Sequence, residues 1–256
     1  MIDTHAHLDG CEAAPEELLA RAGEAGVDRV IAIGSGIESS RASLAIADRE
    51  NGVFAALGIH PHQAGGPEAT PGSLAELETL LAHERAVAVG ETGLDFYRDW
   101  APRDDQRSLF SAQLELAAEL GKPVVIHNRD ADSELGTMLA DFDGTVILHC
   151  FSSPGLLGTA LERGYYVSFA GNVTFSKASE LREAARLIPA DRILAETDSP
   201  YLAPEPRRGR PNEPANVVHT VAALANARAE DVSELAAQID ANATEAFSLP
   251  VASPAA

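Results

Sequence analysis

The sequence predicts an α/β fold, a (β/α)8 TIM barrel, and three observations support this prediction. Eight short apolar runs rich in Val, Ile and Leu alternate with longer segments of helical periodicity. A chain of 256 residues is long enough for a barrel that forms one domain. Unusual polar residues fall at one end of the runs, and in a barrel these ends meet at one mouth. A doubly wound open sheet uses the same units, but it would not bring the first, fourth, fifth, sixth and eighth strands together.

The predicted strands are mostly continuous apolar stretches, as expected of parallel strands that are buried on both faces. They cover residues 1–8, 27–35, 53–60, 86–94, 123–128, 145–151, 165–170 and 193–197. The clearest helix, 104–120, begins with acidic residues and ends before Gly121, a pattern typical of a helix start and stop. Proline is tolerated in the first turn of a helix. It occurs at three other predicted helix starts: Pro15, Pro71 and Pro154. We therefore expect one barrel domain, residues 1–248, and a loose tail, residues 249–256.

The composition excludes several classes of protein. Asp and Glu number 39 and Lys and Arg number 19, which gives a formal net charge of −20. Such a chain cannot bind nucleic acid through a broadly basic surface, although it can still contact one or a few phosphates through metal ions. A hydrophobic fraction of 45% excludes global disorder.

Cysteine usage and hydropathy bear on the cellular setting. Two cysteines, Cys11 and Cys150, are too few for a disulfide scaffold and favour a reduced, cytoplasmic setting. No apolar run approaches the roughly 20 residues that cross a bilayer, and the first residues do not fit a signal peptide. We expect no contact with membranes, and we infer no obligate protein partner.

A set of histidines and carboxylates predicts a metal centre. His5 and His7 are two residues apart on a strand, so both imidazoles lie on one face. The other candidate ligands lie at the ends of four later strands: Glu91, His127, His149 and Asp198. Imidazole and carboxylate without thiolate suit zinc, manganese, iron or nickel, or magnesium where positions stay open. Six ligands are too many for one catalytic ion that keeps water bound, whereas two ions about 3.5–4 Å apart can share a carboxylate. Glu91 is the candidate bridge.

The motifs that contain these residues resemble those of the TatD family of metal-dependent deoxyribonucleases, in the same order and over essentially the whole chain. They are Asp3-Thr4-His5-Ala6-His7-Leu8, Gly58-Ile59-His60-Pro61-His62, Gly90-Glu91-Thr92-Gly93-Leu94-Asp95, Ile126-His127-Asn128-Arg129-Asp130-Ala131, His149-Cys150-Phe151-Ser152 and Glu196-Thr197-Asp198-Ser199-Pro200-Tyr201-Leu202. The chain departs from the family pattern at Ser153, where glycine is common, and at Pro211, where a basic residue is common. Neither position is a candidate metal ligand.

The resemblance implies a barrel that binds two divalent metal ions, such as Mg²⁺, Mn²⁺ or Zn²⁺. The two histidines of the first strand and Asp198 would hold one ion, Glu91 would bridge, and His127 and His149 would complete the second site. The implied activity is hydrolysis of DNA phosphodiester bonds, with single-stranded DNA as the substrate of an exonuclease. Some members of the family are described as acting on aminoacyl-tRNA.

Catalysis would require a group that orients or deprotonates water, and Asp198 can do this at the rim of the barrel. Pure metal ligation is the alternative for Asp198, and the two roles are compatible. Glu196 and Asp3 each lie two residues before a ligand and therefore share its face of the strand. A buried acid needs a partner. We expect each of them to hold a ligand imidazole.

Five residues are candidate substrate contacts: His60, His62, Arg129, Arg208 and Asn212. The two histidines could donate to phosphate or be ordinary loop residues, and Arg129 could reach phosphate or form a surface ion pair. Arg208 and Asn212 lie in the loop after the eighth strand, where barrels often bind phosphate; the alternative is a solvated basic loop. Trp100 and Tyr97 could stack on a base or merely cover the mouth.

Two rival functions remain open at this point. An amidohydrolase-type barrel that cleaves amides, lactones or other esters shares the His-x-His pair and the late Asp. Such enzymes often bridge their metals with a lysine on the fourth strand, where this chain has Glu91; its only lysines are Lys122 and Lys177. A barrel that has lost catalysis and only binds ligands is disfavoured because all six ligand positions are filled.

Overall fold

The computed structural model describes residues 1–98 and 100–250. Within these ranges, eight parallel strands form one sheet in the order of the chain. The strands are β1 (Ile2–Ala6), β2 (Arg29–Gly34), β3 (Val53–Leu57), β4 (Ala86–Asp95), β5 (Val124–Arg129), β6 (Val146–Leu148), β7 (Tyr166–Phe169) and β8 (Ile193–Ala195). Each lies at the position of a predicted strand. The predicted (β/α)8 barrel is confirmed.

Helices separate the strands and surround them. In the described part of the chain they are α1 (Pro15–Glu24), α2 (Ile37–Arg49), α3 (Pro71–Leu81), α4 (Arg103–Leu120), α5 (Asp132–Met138), α6 (Leu157–Arg163), α7 (Ser179–Leu187), α8 (Val217–Arg228) and α9 (Val232–Ala246). The helix predicted at 104–120 is α4, which ends at Gly121 with a left-handed φ of 62°. Pro15 and Pro71 begin α1 and α3 as predicted, whereas Pro154 begins a short 3-10 turn that precedes α6. Over the described residues, no helix combines the length and apolarity needed to cross a bilayer.

Burial of whole strands follows from this arrangement. Every residue of β1, β2 and β3 is buried, since one face of each strand lines the barrel interior and the other packs under helices. Helix α9 packs against β1 and β8. Arg29, at the start of β2, fixes it there: its guanidinium donates to Thr244 Oγ1 (2.9 Å) and pairs with Asp240 Oδ2 (2.7 Å). Leu249, predicted to begin the loose tail, is buried against the core, and residues 251–256 lie outside the described residues.

The barrel closes where the segment after β8 binds β1. Asp198 N–H donates to His5 O (2.9 Å), and His7 N–H donates to Ser199 O (2.8 Å). Asp3 strengthens this junction, because its carboxylate accepts from the backbone N–H of Thr197 (2.8 Å) and from its hydroxyl (2.5 Å). The prediction that Asp3 holds a ligand imidazole is therefore wrong. Asp3 instead fastens the two strands whose ends carry His5, His7 and Asp198.

Strand β4 departs from regular pairing beside Glu91. Its register with β5 shifts between Val89 and Thr92. Gly90 and Gly93 have φ of +148° and +136°, and a Cβ at these positions would lie 2.6 Å from Val125 O and 2.1 Å from His127 O. Only glycine allows β4 to approach β5 this closely. The irregular stretch places the Glu91 carboxylate inside the mouth, where its residue is 3% exposed.

Replacing Gly93 by alanine is expected to lower the free energy of unfolding by roughly 1 kcal/mol or more, because alanine meets both an unfavourable φ and the β5 backbone. Urea unfolding monitored by circular dichroism measures the change. Gly23, in α1, is the matched control: a Cβ there meets nothing within 4 Å, so Gly23→Ala is expected to stabilise by about 0.5–1 kcal/mol. Equal stability of Gly93→Ala and the unchanged protein would contradict this account of β4.

Candidate metal centre

All six predicted ligands meet at the carboxyl ends of the strands. The barrel brings together residues from β1, β4 and β5 and from the segments that follow β1, β6 and β8: His5, His7, Glu91, His127, His149 and Asp198. Among the described residues, combinations of three ligand atoms lie close enough to hold an ion at three places around this mouth. The structure therefore joins residues that are up to 193 positions apart in the sequence into one cluster.

The first group contains His5, His7 and Asp198. Their ligand atoms are separated by 3.3 Å between the two Nε2 atoms and by 3.8 and 3.6 Å from these atoms to Asp198 Oδ1. Glu91 Oε2 lies 3.6 and 3.5 Å from the same two nitrogens. Ligand atoms about 2.0–2.2 Å from a tetrahedral zinc ion lie about 3.3–3.6 Å from one another. The spacing of this group fits a divalent ion.

The second group forms around the other oxygen of Glu91. Oε1 lies 2.8 Å from His127 Nδ1, 2.9 Å from His149 Nε2 and 3.4 Å from His60 Nε2. One carboxylate thus presents one oxygen to each group, as a carboxylate that held two ions would. His60, predicted as a substrate contact, lies within this second group. The sequence predicts that His60 follows β3, but it does not predict that the His60 ring lies beside Glu91.

Backbone geometry at Asp198 is unusual. Its φ is +55°, a left-handed value that costs a non-glycine residue about 1–3 kcal/mol. Two hydrogen bonds hold it: Asp198 N–H donates to His5 O (2.9 Å), and Tyr201 N–H donates to Asp198 O (2.8 Å). This conformation turns the carboxylate toward His5 and His7.

Glu196 orients one of the ligands, as predicted. Its Oε1 lies 3.1 Å from His149 Nδ1 and accepts from Cys150 N–H (2.8 Å). Because Nδ1 faces Glu196, the Nε2 of His149 faces Glu91. Carboxylates that hold the outer nitrogen of a ligand imidazole fix its tautomer and increase its basicity.

Asp95 is a residue of the centre that the sequence analysis did not assign. Its Oδ2 lies 2.8 Å from His62 Nε2 and 3.2 Å from His127 Nε2, and its residue is 1% exposed. Asp95 therefore holds the outer nitrogen of the His127 ring, as Glu196 holds the outer nitrogen of the His149 ring. The signal was available in the sequence, since Asp95 is four residues after Glu91 on one strand and so points to the same side.

Burial and mutual charge set the protonation of the cluster. Burial lowers the pKa of His5 to about 4, so this imidazole is neutral at pH 7. Burial also opposes charge on His149, but the carboxylates of Glu91 and Glu196 raise its pKa well above the ordinary value. Burial raises the pKa of Asp198 well above its ordinary value. Without a metal ion, the surroundings therefore favour the protonated forms of His149 and Asp198.

The remaining predicted substrate contacts lie around the rim. The guanidinium of Arg129 lies 4.0 Å from the ring centroid of Tyr97, and within residues 1–98 and 100–250 it forms no ion pair. Arg208 is exposed and stacks at 4.1 Å on Phe175. Asn212 differs from its prediction. It is 2% exposed, and its amide donates to Thr197 O (2.9 Å) and Tyr201 O (2.6 Å), so it shapes the loop after β8 and does not face a substrate.

Comparison with known proteins places these features in a family. A family model described as TatD related DNase matches residues 2–248. An uncharacterized metal-dependent hydrolase TatD of Mycobacterium tuberculosis is 41% identical, over 97% of this chain and 98% of that protein. A 3'-5' ssDNA/RNA exonuclease TatD of Klebsiella pneumoniae is 37% identical, over 92% of each chain. The crystal structure of YjjV, a TatD homologue from Escherichia coli, has a TM-score of 0.90 and 32% identity, with 98% of each chain covered.

Metal binding is expected to release protons, because ligands bind in their deprotonated forms whereas the pKa of His149 and the pKa of Asp198 are both raised well above their ordinary values. The apparent affinity should therefore increase with pH. Titration calorimetry of chelator-treated protein, in two buffers of different ionisation enthalpy, measures the protons released. Glu196→Gln should reduce their number, since Glu196 helps to raise the pKa of His149. Identical heats in both buffers would show that the prediction is wrong.

Proposed function

Because the chain belongs to the TatD family of metal-dependent hydrolases, we propose that it hydrolyses phosphodiester bonds of DNA as an exonuclease on single strands. The observation that supports this most strongly is the division of the Glu91 carboxylate between two groups of histidines. Paired divalent ions that share a carboxylate suit in-line displacement at phosphorus, since they stabilise the attacking and the leaving oxygen. The relative from Klebsiella pneumoniae is named as an exonuclease of single-stranded DNA and RNA, which supports the same substrate class.

The types of ligand in the two groups suit two divalent ions. His5, His7, Asp198 and Glu91 Oε2 would hold one, and Glu91 Oε1, His127 and His149 would hold the other. Imidazole and carboxylate ligands are compatible with Mg²⁺, Mn²⁺ or Zn²⁺. Bound divalent ions supply Lewis acidity, which polarises a phosphoryl oxygen and makes water more acidic.

Asp198 is proposed as the catalytic base as well as a ligand. Its Oδ1 faces His5 and His7 at 3.8 and 3.6 Å. Its Oδ2 has no hydrogen bond or ion pair to another described residue, so it is available to accept a proton from the attacking water. The side chain is 12% exposed, which leaves it a path to solvent at the rim.

Cationic and polar groups around the centre are proposed to bind the substrate strand. Arg129 ends β5, two residues beyond His127, and its guanidinium can contact a phosphate bidentately. His62 Nε2 is held by Asp95, which positions the ring beside the second group of ligands. Arg208 extends from the loop after β8 as a more distant phosphate contact. These contacts are few, which agrees with a net charge of −20 and with modest, salt-sensitive affinity.

The position of the lysines favours a nuclease over an amidohydrolase-type enzyme. Lys122 Nζ donates to Ala86 O (2.5 Å), at the amino end of β4 and therefore away from Glu91. Lys177 lies in the turn before α7. Lys122 is directed away from the mouth and Lys177 is an exposed loop residue, so we assign the bridging position to Glu91.

Add-back of metal tests the proposal directly. Protein stripped by chelator is supplied with Mg²⁺, Mn²⁺ or Zn²⁺ and assayed on single-stranded DNA, duplex DNA, RNA, an aminoacyl ester and a lactone. We expect metal-dependent release of nucleotides from one end of single-stranded DNA, faster than from duplex DNA. Hydrolysis of the lactone or the aminoacyl ester, with no nucleic acid cleaved under any metal, would refute the proposed function.

Asp198→Asn is expected to reduce kcat by about 10²–10⁴-fold, the range that loss of a general base covers. Metal content measured on the same preparation separates loss of the base from loss of a ligand. Asp191→Asn is the control: this carboxylate is 64% exposed and precedes β8 at the opposite end of the barrel, so kcat should not change. An Asp198→Asn variant with full metal content and unchanged kcat would eliminate the base assignment.

A further inference from the structure

Exposed aromatic side chains are concentrated at the mouth of the barrel. Six large hydrophobic side chains are exposed among the described residues, and three of them are aromatic: Tyr97 (58%), Trp100 (66%) and Tyr201 (61%). Tyr201 lies 6.0 Å from the ring of His7. Trp100 lies 4.4 Å from the ring of His62. Exposing aromatic rings to water is unfavourable. Their concentration beside the candidate metal ligands therefore indicates a surface that is covered when substrate is bound.

The rings of Tyr97 and Trp100 each contact the guanidinium of an arginine. The guanidinium of Arg129 lies 4.0 Å from the Tyr97 centroid, and that of Arg98 lies 5.3 Å from the Trp100 centroid. The result is a pair of flat apolar faces bordered by positive charge, in a protein whose net charge is −20. Aromatic faces beside arginines match unpaired nucleotides, whose bases stack and whose phosphates are anionic.

The backbone on either side of these rings is hydrogen-bonded to Asp95 and to Gln106. Asp95 Oδ1 accepts from the backbone N–H groups of Tyr97 (3.0 Å) and Arg98 (2.9 Å), while its Oδ2 faces His62 and His127. From the other side, the buried side chain of Gln106 donates to Asp95 O and Ala101 O, both at 3.0 Å. The backbone of Tyr97 and Arg98 is therefore held in place before substrate arrives, which reduces the entropy lost on binding.

We propose that Trp100 and Tyr97 form a stacking site for an unpaired base of the strand next to the scissile phosphate, with Arg98 and Arg129 on its phosphates. This proposal rests on the proposed nuclease function. It explains why single strands would be preferred: bases within a duplex are stacked on one another, so their faces are not available to these rings. Trp100 and Tyr97 thus select the substrate, while the chemistry takes place at the metal centre.

The chain offers an intrinsic probe, since Trp100 is its only tryptophan. In a buffer that contains chelator, so that nothing is cleaved, oligothymidylate should quench Trp100 fluorescence in a saturable way. An abasic oligonucleotide of the same length and a blunt duplex should not. Oligouridylate tests RNA as the occupant in place of DNA, and quenching by either strand that saturates supports the stacking site. Equal quenching by the abasic strand would overturn it, because phosphates alone would then account for binding.

Variants test the same site through affinity. Trp100→Ala and Tyr97→Ala should each weaken binding of a labelled oligothymidylate, measured by anisotropy, by about 5- to 150-fold, the range for loss of one stacked base. Trp100→Phe should restore most of the affinity, as it keeps an aromatic face. Leu187→Ala removes another exposed hydrophobic side chain, 60% exposed and on α7, and should bind as the unchanged protein does. Unchanged affinity of Trp100→Ala would refute the proposal.

Activity distinguishes failure of this proposal from failure of the nuclease function. With metal restored, the ratio of kcat/KM for a base-bearing strand to that for an abasic strand should fall toward one in Trp100→Ala. Cleavage of both strands with the same ratio in both proteins would refute the stacking site and leave the nuclease function intact. Absence of cleavage in the unchanged protein would refute the nuclease function, and the fluorescence titration would still report whether bases stack.

Discussion

The structure depends on one buried carboxylate. Glu91 is 3% exposed and faces five imidazoles, with Oε2 toward His5 and His7 and Oε1 toward His60, His127 and His149. A buried anion is costly unless it is paired, and here burial is outweighed by His149, His60 and His127, which keep the Glu91 pKa well below its ordinary value. The arrangement is stable only if several strands bring nitrogen atoms to the same point, which a barrel does.

The surrounding features follow from that requirement. The glycines of β4 let the strand approach β5 and turn Glu91 inward, and Asp3 fastens β1 to the segment after β8 so that His5, His7 and Asp198 meet. Glu196 and Asp95 hold the outer nitrogens of the ligands on the other side. Acidic residues therefore act both as candidate metal ligands and as hydrogen-bond acceptors that hold those ligands or the strands that carry them. A net charge of −20 is compatible with the proposed nucleic-acid substrate, because a few arginines lie at the rim and bound metal ions would add positive charge at the centre.

Much of the fold and of the candidate site can be predicted from the sequence, because barrel strands are short apolar runs and because side chains two residues apart share a face. That rule placed His5 with His7 and Glu196 near a ligand. It gives the face but not the partner, so Asp3 was assigned to an imidazole although the neighbouring strand offers it Thr197. The role of Asp95 depends on residues from β5 and the loop after β3, and Asn212 was assigned from its loop although its amide is buried. Partners across strands are set by register, and the shift in β4 does not follow from spacing.

The central claim is that Glu91 is shared by two ions, and metal stoichiometry tests it most directly. Chelator-treated protein is reloaded with Zn²⁺ or Mn²⁺, freed of excess by gel filtration, and analysed by inductively coupled plasma mass spectrometry against protein concentration. The account predicts two ions per chain, and fewer than two in Glu91→Gln, with the fold retained by circular dichroism. One ion per chain in the unchanged protein, or two tightly held ions in Glu91→Gln, would contradict it.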